Sequence, residues 1–100
     1  MMLSEQDAGR TVEMHVGNVV TIRLQENPTT GYRWAVETAG GLERVSDRFD
    51  PDSAIGAAGI RSFEFRPPHA GSYELRLKHW RAWEGEGSVR NRFRVNINVQ

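Results

Sequence analysis

Cysteine is absent from this 100-residue chain. That excludes a disulfide framework, a thiolate metal site and a cysteine nucleophile, and leaves packing to supply the stability. No stretch approaches the roughly 20 apolar residues of a membrane-spanning helix, and the opening MMLSEQDAGR has neither the basic region nor the apolar run of a secretory signal. The compartment is read as cytoplasmic for the chain as it stands, and as periplasmic or secreted if a leader has been removed. Lysine is nearly missing, since Lys78 is the one lysine among 13 basic residues. These balance 13 acidic residues, so the charge gives no reason to expect nucleic acid, a membrane surface or an acidic ligand.

Catalytic patterns are also missing. His15, His69 and His79 stand on separate segments without HxH or HExxH spacing, so no metal is expected. Gly56 to Gly59 lacks the Lys-Ser/Thr and the helix of a phosphate loop, no serine elbow occurs, and Glu84 and Glu86 read as a solvated loop. An enzyme is not expected, nor a cofactor.

Alternation with period two is what the chain has instead. Val12, Met14 and Val16 alternate with polar neighbours, as do Val20, Ile22 and Leu24; Tyr32, Trp34 and Val36; Phe63 and Phe65; Tyr73, Leu75 and Leu77; and Phe93, Val95, Ile97 and Val99. Leu42 to Phe49 is a weaker strand candidate. Turn signals separate these runs, and no window of twelve residues has helical spacing. The prediction is an all-β, immunoglobulin-like antiparallel β-sandwich of seven to eight strands over residues 11–100, preceded by a disordered or loosely packed segment at 1–10. Trp34 is assigned to the core and Trp83 to the surface. Charged outward positions such as Arg92 and Arg94 predict a monomer.

The stretch Asn27 to Trp34 contradicts the strands around it. Pro28 fixes one φ, Gly31 permits φ > 0, and Asn27 can fold its side chain onto nearby amides, so a tight turn is over-specified, with Thr29 and Thr30 held outward at its tip. Successive antiparallel strands reverse direction. The loops at 26–32, 50–60 and 80–88 therefore fall at one pole, and Gly17, Gly40-Gly41 and Pro67 to Gly71 at the other. Three unlike loops on a rigid scaffold form a binding site. A carbohydrate- or protein-binding module using Trp80 and Trp83 as platforms remains the alternative.

Asn27-Pro28-Thr29-Thr30-Gly31-Tyr32 with Trp34, the small-residue turn Gly56-Ala57-Ala58-Gly59 before Phe63 and Phe65, and Arg81-Ala82-Trp83 after a strand together resemble the chagasin-like inhibitors of papain-family cysteine peptidases. The resemblance implies an immunoglobulin-like sandwich that blocks a papain-like cysteine peptidase reversibly and without a covalent bond. It implies that Thr30 and Gly31 lie against the catalytic thiolate and imidazolium. Ala57, Ala58 and Gly59 would lie along the substrate pockets, and Trp83 on an aromatic surface opposite, with Arg81 supporting it or pairing with a carboxylate. Where that family has Arg-Pro and more glycine, this chain has Ala82, Ala57 and Ala58. Alanine at 82 is expected to cost about 0.4–1 kcal/mol of preorganisation.

Overall fold

The computed structural model describes residues 1–51 and 58–100, and in it eight strands form two four-stranded sheets packed face to face. In chain order they are β1 (Met2–Leu3), β2 (Thr11–Met14), β3 (Val20–Glu26), β4 (Arg33–Thr38), β5 (Glu43–Pro51), β6 (Gly59–Arg66), β7 (Gly71–Trp80) and β8 (Asn91–Val99). One sheet has the order β1-β3-β6-β5 and the other β2-β8-β7-β4. The only helical pieces among the described residues are single 3-10 turns. This is the immunoglobulin-like β-sandwich that the alternation predicts.

Alternation works because successive side chains of a strand point to opposite faces. Val20, Ile22 and Leu24 of β3 and Phe63 and Phe65 of β6 turn inward from one sheet. Leu75 and Leu77 of β7 and Phe93, Val95 and Ile97 of β8 meet them from the other, and all ten are essentially inaccessible to solvent. Each such side chain contributes about 1.5–3 kcal/mol relative to exposure, so this layer dominates the stability. Trp34 joins it as expected, at 9% exposure.

Three expectations are corrected. Residues 1–10 are not loose: β1 pairs in parallel with β3, Leu3 is buried, and a 3-10 turn at Glu5–Asp7 is closed by reciprocal bonds between Ser4 and Asp7. A two-residue strand carries no period, so alternation could not announce it. The sandwich is also not wholly antiparallel, because β1 on β3 and β2 on β8 are parallel pairs. Val16, expected inward, is 49% exposed, because β2 ends at Met14 and the Val16 N–H reaches only to the Gln100 carbonyl.

Register places the loops. Glu26 pairs with Gly59, Pro51 with Gly59, and Arg33 with Trp80. The strand ends Glu26, Arg33, Pro51, Gly59 and Trp80 therefore all lie at the same end of the sandwich.

Candidate functional site

The loop at that pole that enters β4 is a closed hydrogen-bonded unit. Asn27 caps a 3-10 turn at Pro28–Thr30, its Oδ1 accepting from the Thr29 N–H at 3.1 Å and the Thr29 hydroxyl at 2.6 Å. The Thr30 hydroxyl donates to the Asn27 carbonyl at 2.8 Å and accepts from the Tyr32 N–H at 3.3 Å. Gly31 ends the turn at φ +80°, in the left-handed region, donating to the Pro28 carbonyl at 3.0 Å. Thr29 and Thr30 are exposed residues, as expected, but their hydroxyls are not held outward. They are consumed in shaping the loop, whose exposed tip residues Thr29 and Thr30 are followed by a half-buried Gly31.

The loop after β7 braces it. The Arg81 guanidinium donates through Nε and Nη2 to the Thr30 carbonyl at 3.1 and 3.0 Å, and its Nη1 pairs with Glu84 at 3.2 Å. Its Cζ lies 4.4 Å from the centre of the Tyr32 ring, and the Arg90 guanidinium lies 4.5 Å from the same ring. Both are cation–π distances. Trp83 is 71% exposed, yet its indole edge lies so close over Gly31 that a Cβ there would stand 2.6 Å from Cη2. The two loops are one body.

Proline is not what stiffens the Arg81-Ala82-Trp83 segment. Ala82–Glu84 and Glu86–Ser88 are consecutive 3-10 turns, and Ser88 Oγ accepts from the Arg81 N–H at 3.0 Å while facing the Arg81 and Gly85 carbonyls at 2.9 and 2.7 Å. Glu86 is held by Lys78, whose hydrogen bond lowers the carboxyl pKa below its ordinary value, and by Arg92 at 3.4 Å. The Lys78 Nζ in turn covers the Trp80 ring at 3.6 Å from its centre. Ser88 was missed by sequence reasoning, because a serine in a polar loop has no distinguishing neighbours.

Of the small-residue turn, Gly56 and Ala57 lie outside the described residues. Ala58 is half-buried, and Gly59 is a buried member of β6 where a Cβ would come within 2.5 Å of the Asp50 carbonyl. Gly59 thus closes the sheet, a different place from the exposed contact expected of it.

Two buried polar residues lie beneath this pole. Glu26, 2% exposed, accepts from the Trp34 N–H at 2.7 Å and from Arg61 Nη2 and Nε at 2.8 and 3.1 Å. Burial opposes the Arg61 charge, but Glu26 and then Asp47 outweigh it and hold the guanidinium pKa above its ordinary value. His79, 8% exposed, stacks on Trp34 at 4.7 Å with 9° between the rings and lies 5.7 Å from Tyr32. The strand period was the signal for both: Glu26 continues Val20, Ile22 and Leu24, and His79 continues Tyr73, Leu75 and Leu77.

Among the described residues, no cluster of three His, Asp or Glu side chains could hold a metal. The threonine hydroxyls are tied to backbone and amide oxygens, with no general base beside them. What the pole offers is a shaped, stiffened contact surface, and a β-sandwich presenting one in this way is a loop-presenting binding protein. The chain belongs to the chagasin family of peptidase inhibitors: the family model described as "Chagasin family peptidase inhibitor I42" matches residues 13–97. It is similar to chagasin of Trypanosoma cruzi, 34% identical over 101 residues that cover 91% of this chain and 90% of that protein. It is also similar to amoebiasin-1 of Entamoeba histolytica, 31% identical over the full length of both. The crystal structure of the cysteine protease inhibitor EhICP2 from Entamoeba histolytica has the same fold, with a TM-score of 0.89 at 21% identity, covering 99% of this chain and 94% of that one. The family is one of inhibitors, not enzymes.

Proposed function

We propose that the pole built from Asn27, Pro28, Thr29, Thr30, Gly31 and Tyr32, with Ala58, Arg81 and Trp83 beside them, obstructs the active-site cleft of a papain-like cysteine peptidase reversibly and without a covalent bond. The observation that carries this reading is the half-buried Gly31, set between the exposed Thr30 and the Trp83 indole, with the Thr30 carbonyl beside it held by the Arg81 fork. A glycine can approach a thiolate–imidazolium pair closely, and a loop whose hydroxyls are already bonded within it keeps its shape in the cleft. Trp83 and Arg81 are residue types enriched among binding hot spots. With the neighbouring loops they suit an interface on the order of 800 Å² per partner. The sugar-platform alternative is weaker, because the Trp80 ring is covered by Lys78 and only Trp83 stands free as an aromatic face at this pole.

Titration of papain or a cathepsin L-like peptidase with this protein, read with a small fluorogenic substrate, tests the proposal. Stoichiometric inhibition is expected, and a folded sample that fails to inhibit several such enzymes at micromolar excess overturns it. Trp83→Ala is expected to weaken inhibition about thirtyfold, the loss of one hot spot of roughly 2 kcal/mol. Arg81→Ala releases the Thr30 carbonyl and is expected to cost about tenfold, because a hydrogen bond to a charged group contributes roughly 1.5 kcal/mol. Its melting temperature should stay near wild type, since Arg81 lies outside the core.

A further inference from the structure

His79 is a buried histidine whose ring nitrogens have no hydrogen-bond partner among the described residues. A buried polar group without a partner calls for an account. One face of the ring is taken by Trp34, the residue that leads from the first loop into β4, and Tyr32 of that loop lies 5.7 Å away. Tyr32 in turn carries the Arg81 and Arg90 guanidinium groups. A chain of contacts thus runs from the imidazole through Tyr32 and Arg81 to the Thr30 carbonyl.

We propose that His79 is a positioning residue for the first loop whose protonation loosens that loop, so that the inhibitor holds its peptidase more tightly at neutral than at acidic pH. This rests on the inhibitor reading above. The groups facing His79 fix the sign. From β3, Glu26 would welcome a charge, but its oxygens are already engaged by Arg61 of β6 and the Trp34 N–H. From the segment before β8, Arg90 opposes one. It cannot withdraw far, because its own N–H donates to the His79 carbonyl at 3.0 Å. Tyr32 and Trp34 offer ring faces. A cleft between the sheets, lined also by Glu5, Arg92 and Phe93, is the route for solvent. Burial, then Arg90, lowers the histidine pKa below 6.5, against smaller opposing contributions from Glu26 and the Tyr32 backbone.

A peptidase seated on the pole removes more water and pins Tyr32 and Arg90 over the imidazole, which disfavours the charged ring further in the complex. Binding is then coupled to release of a proton, and affinity falls as pH drops through the free protein's value. A single group limits the slope to about tenfold per pH unit.

The test compares inhibition constants at pH 7 and pH 5 for wild type and His79→Phe, which keeps an aromatic stack but cannot titrate. Using one peptidase for both proteins cancels the enzyme's own titration. Wild type is expected to lose affinity that the variant keeps, about twofold at the pH of the His79 midpoint and up to about tenfold for each pH unit below it. Equal losses overturn the proposal. A pH titration of the free wild-type protein by NMR gives a second reading that needs neither peptidase nor variant. The His79 ring and the Gly31 and Tyr32 amides are expected to shift with one midpoint below 6.5. Loop amides that stay fixed while the ring titrates, or a ring that does not titrate above pH 5, overturn it. Should the protein inhibit at neither pH, the inhibitor reading fails while the NMR titration still decides the coupling.

Discussion

Gly31→Val is expected to weaken peptidase inhibition by about 100- to 1,000-fold while leaving the sandwich folded. Gly31 sits at φ +80°, ψ −10°. A β-branched residue there is a backbone outlier and costs on the order of 1–3 kcal/mol. Space is refused as well: a Cβ would stand 2.6 Å from Trp83 Cη2, 3.2 Å from Cζ2 and 3.6 Å from Arg81 Nε. The indole must swing away from the loop, while Arg81 Nε stands at ordinary contact distance. The substitution therefore damages both loops at once and places a branched side chain on the loop meant to enter the cleft. The three costs together reach roughly 3–4 kcal/mol. Since Gly31 is outside the core, the sandwich should stay folded, with the melting temperature lowered by about 4–8 °C for each kcal/mol of strain that the loop does not relax. A variant that inhibits within tenfold of wild type would show that Gly31 is not the part that meets the enzyme.

Much of this geometry was legible beforehand, for particular reasons. Pro28, Gly31 and Asn27 each constrain the backbone without help from distant residues, so the turn could be placed from eight positions. Trp34 shares a period with Val36, whereas Trp83 follows a break in alternation, and that separated the buried indole from the exposed one. What escaped notice depends on partners remote in the chain. Arg61 lies 35 residues from Glu26 and Arg81 lies 51 from Thr30, and no local pattern says that either pair meets. Residue type gives the bonding capacity of the threonine hydroxyls but not their rotamer, so the sequence alone points them to solvent. Gly59 reads locally as one more loop glycine, and only its double register with Glu26 and Pro51 shows that it belongs to the sheet. Glu26 and His79 continue inward-facing periods, but their polar residue types argue for the surface, where the histidines are expected, and the structure buries both. What they do there required the opposite sheet.

Glu26→Ala is expected to be the most destabilising single substitution near the pole, by about 3 kcal/mol, or roughly 12–24 °C in melting temperature for a domain of this size. One carboxylate links three strands and both sheets. It belongs to β3, pairs with Arg61 on β6, and accepts the Trp34 N–H of β4 across the sandwich. Alanine leaves that N–H buried without a partner, at a cost of about 1–3 kcal/mol. It also leaves the Arg61 side chain, 15% exposed, with the outer Asp47 carboxylate at 3.1 Å as its one remaining acidic partner among the described residues. Partial access to water and the surviving Asp47 pair keep the total below the upper end for a severed buried pair. Glu26→Gln, which keeps an acceptor for Trp34 but loses the charge, should cost about half as much. Arg61→Ala removes the other end and strands a buried carboxylate. Because each single change orphans what the other would have removed, the double variant should be at least about 1 kcal/mol more stable than the sum of the two predicts. Thermal or urea unfolding of the four proteins measures this directly. Additive losses would mean that Glu26 acts through the Trp34 amide alone, which would make the link between the sheets, and not the ion pair, the support on which the first loop stands.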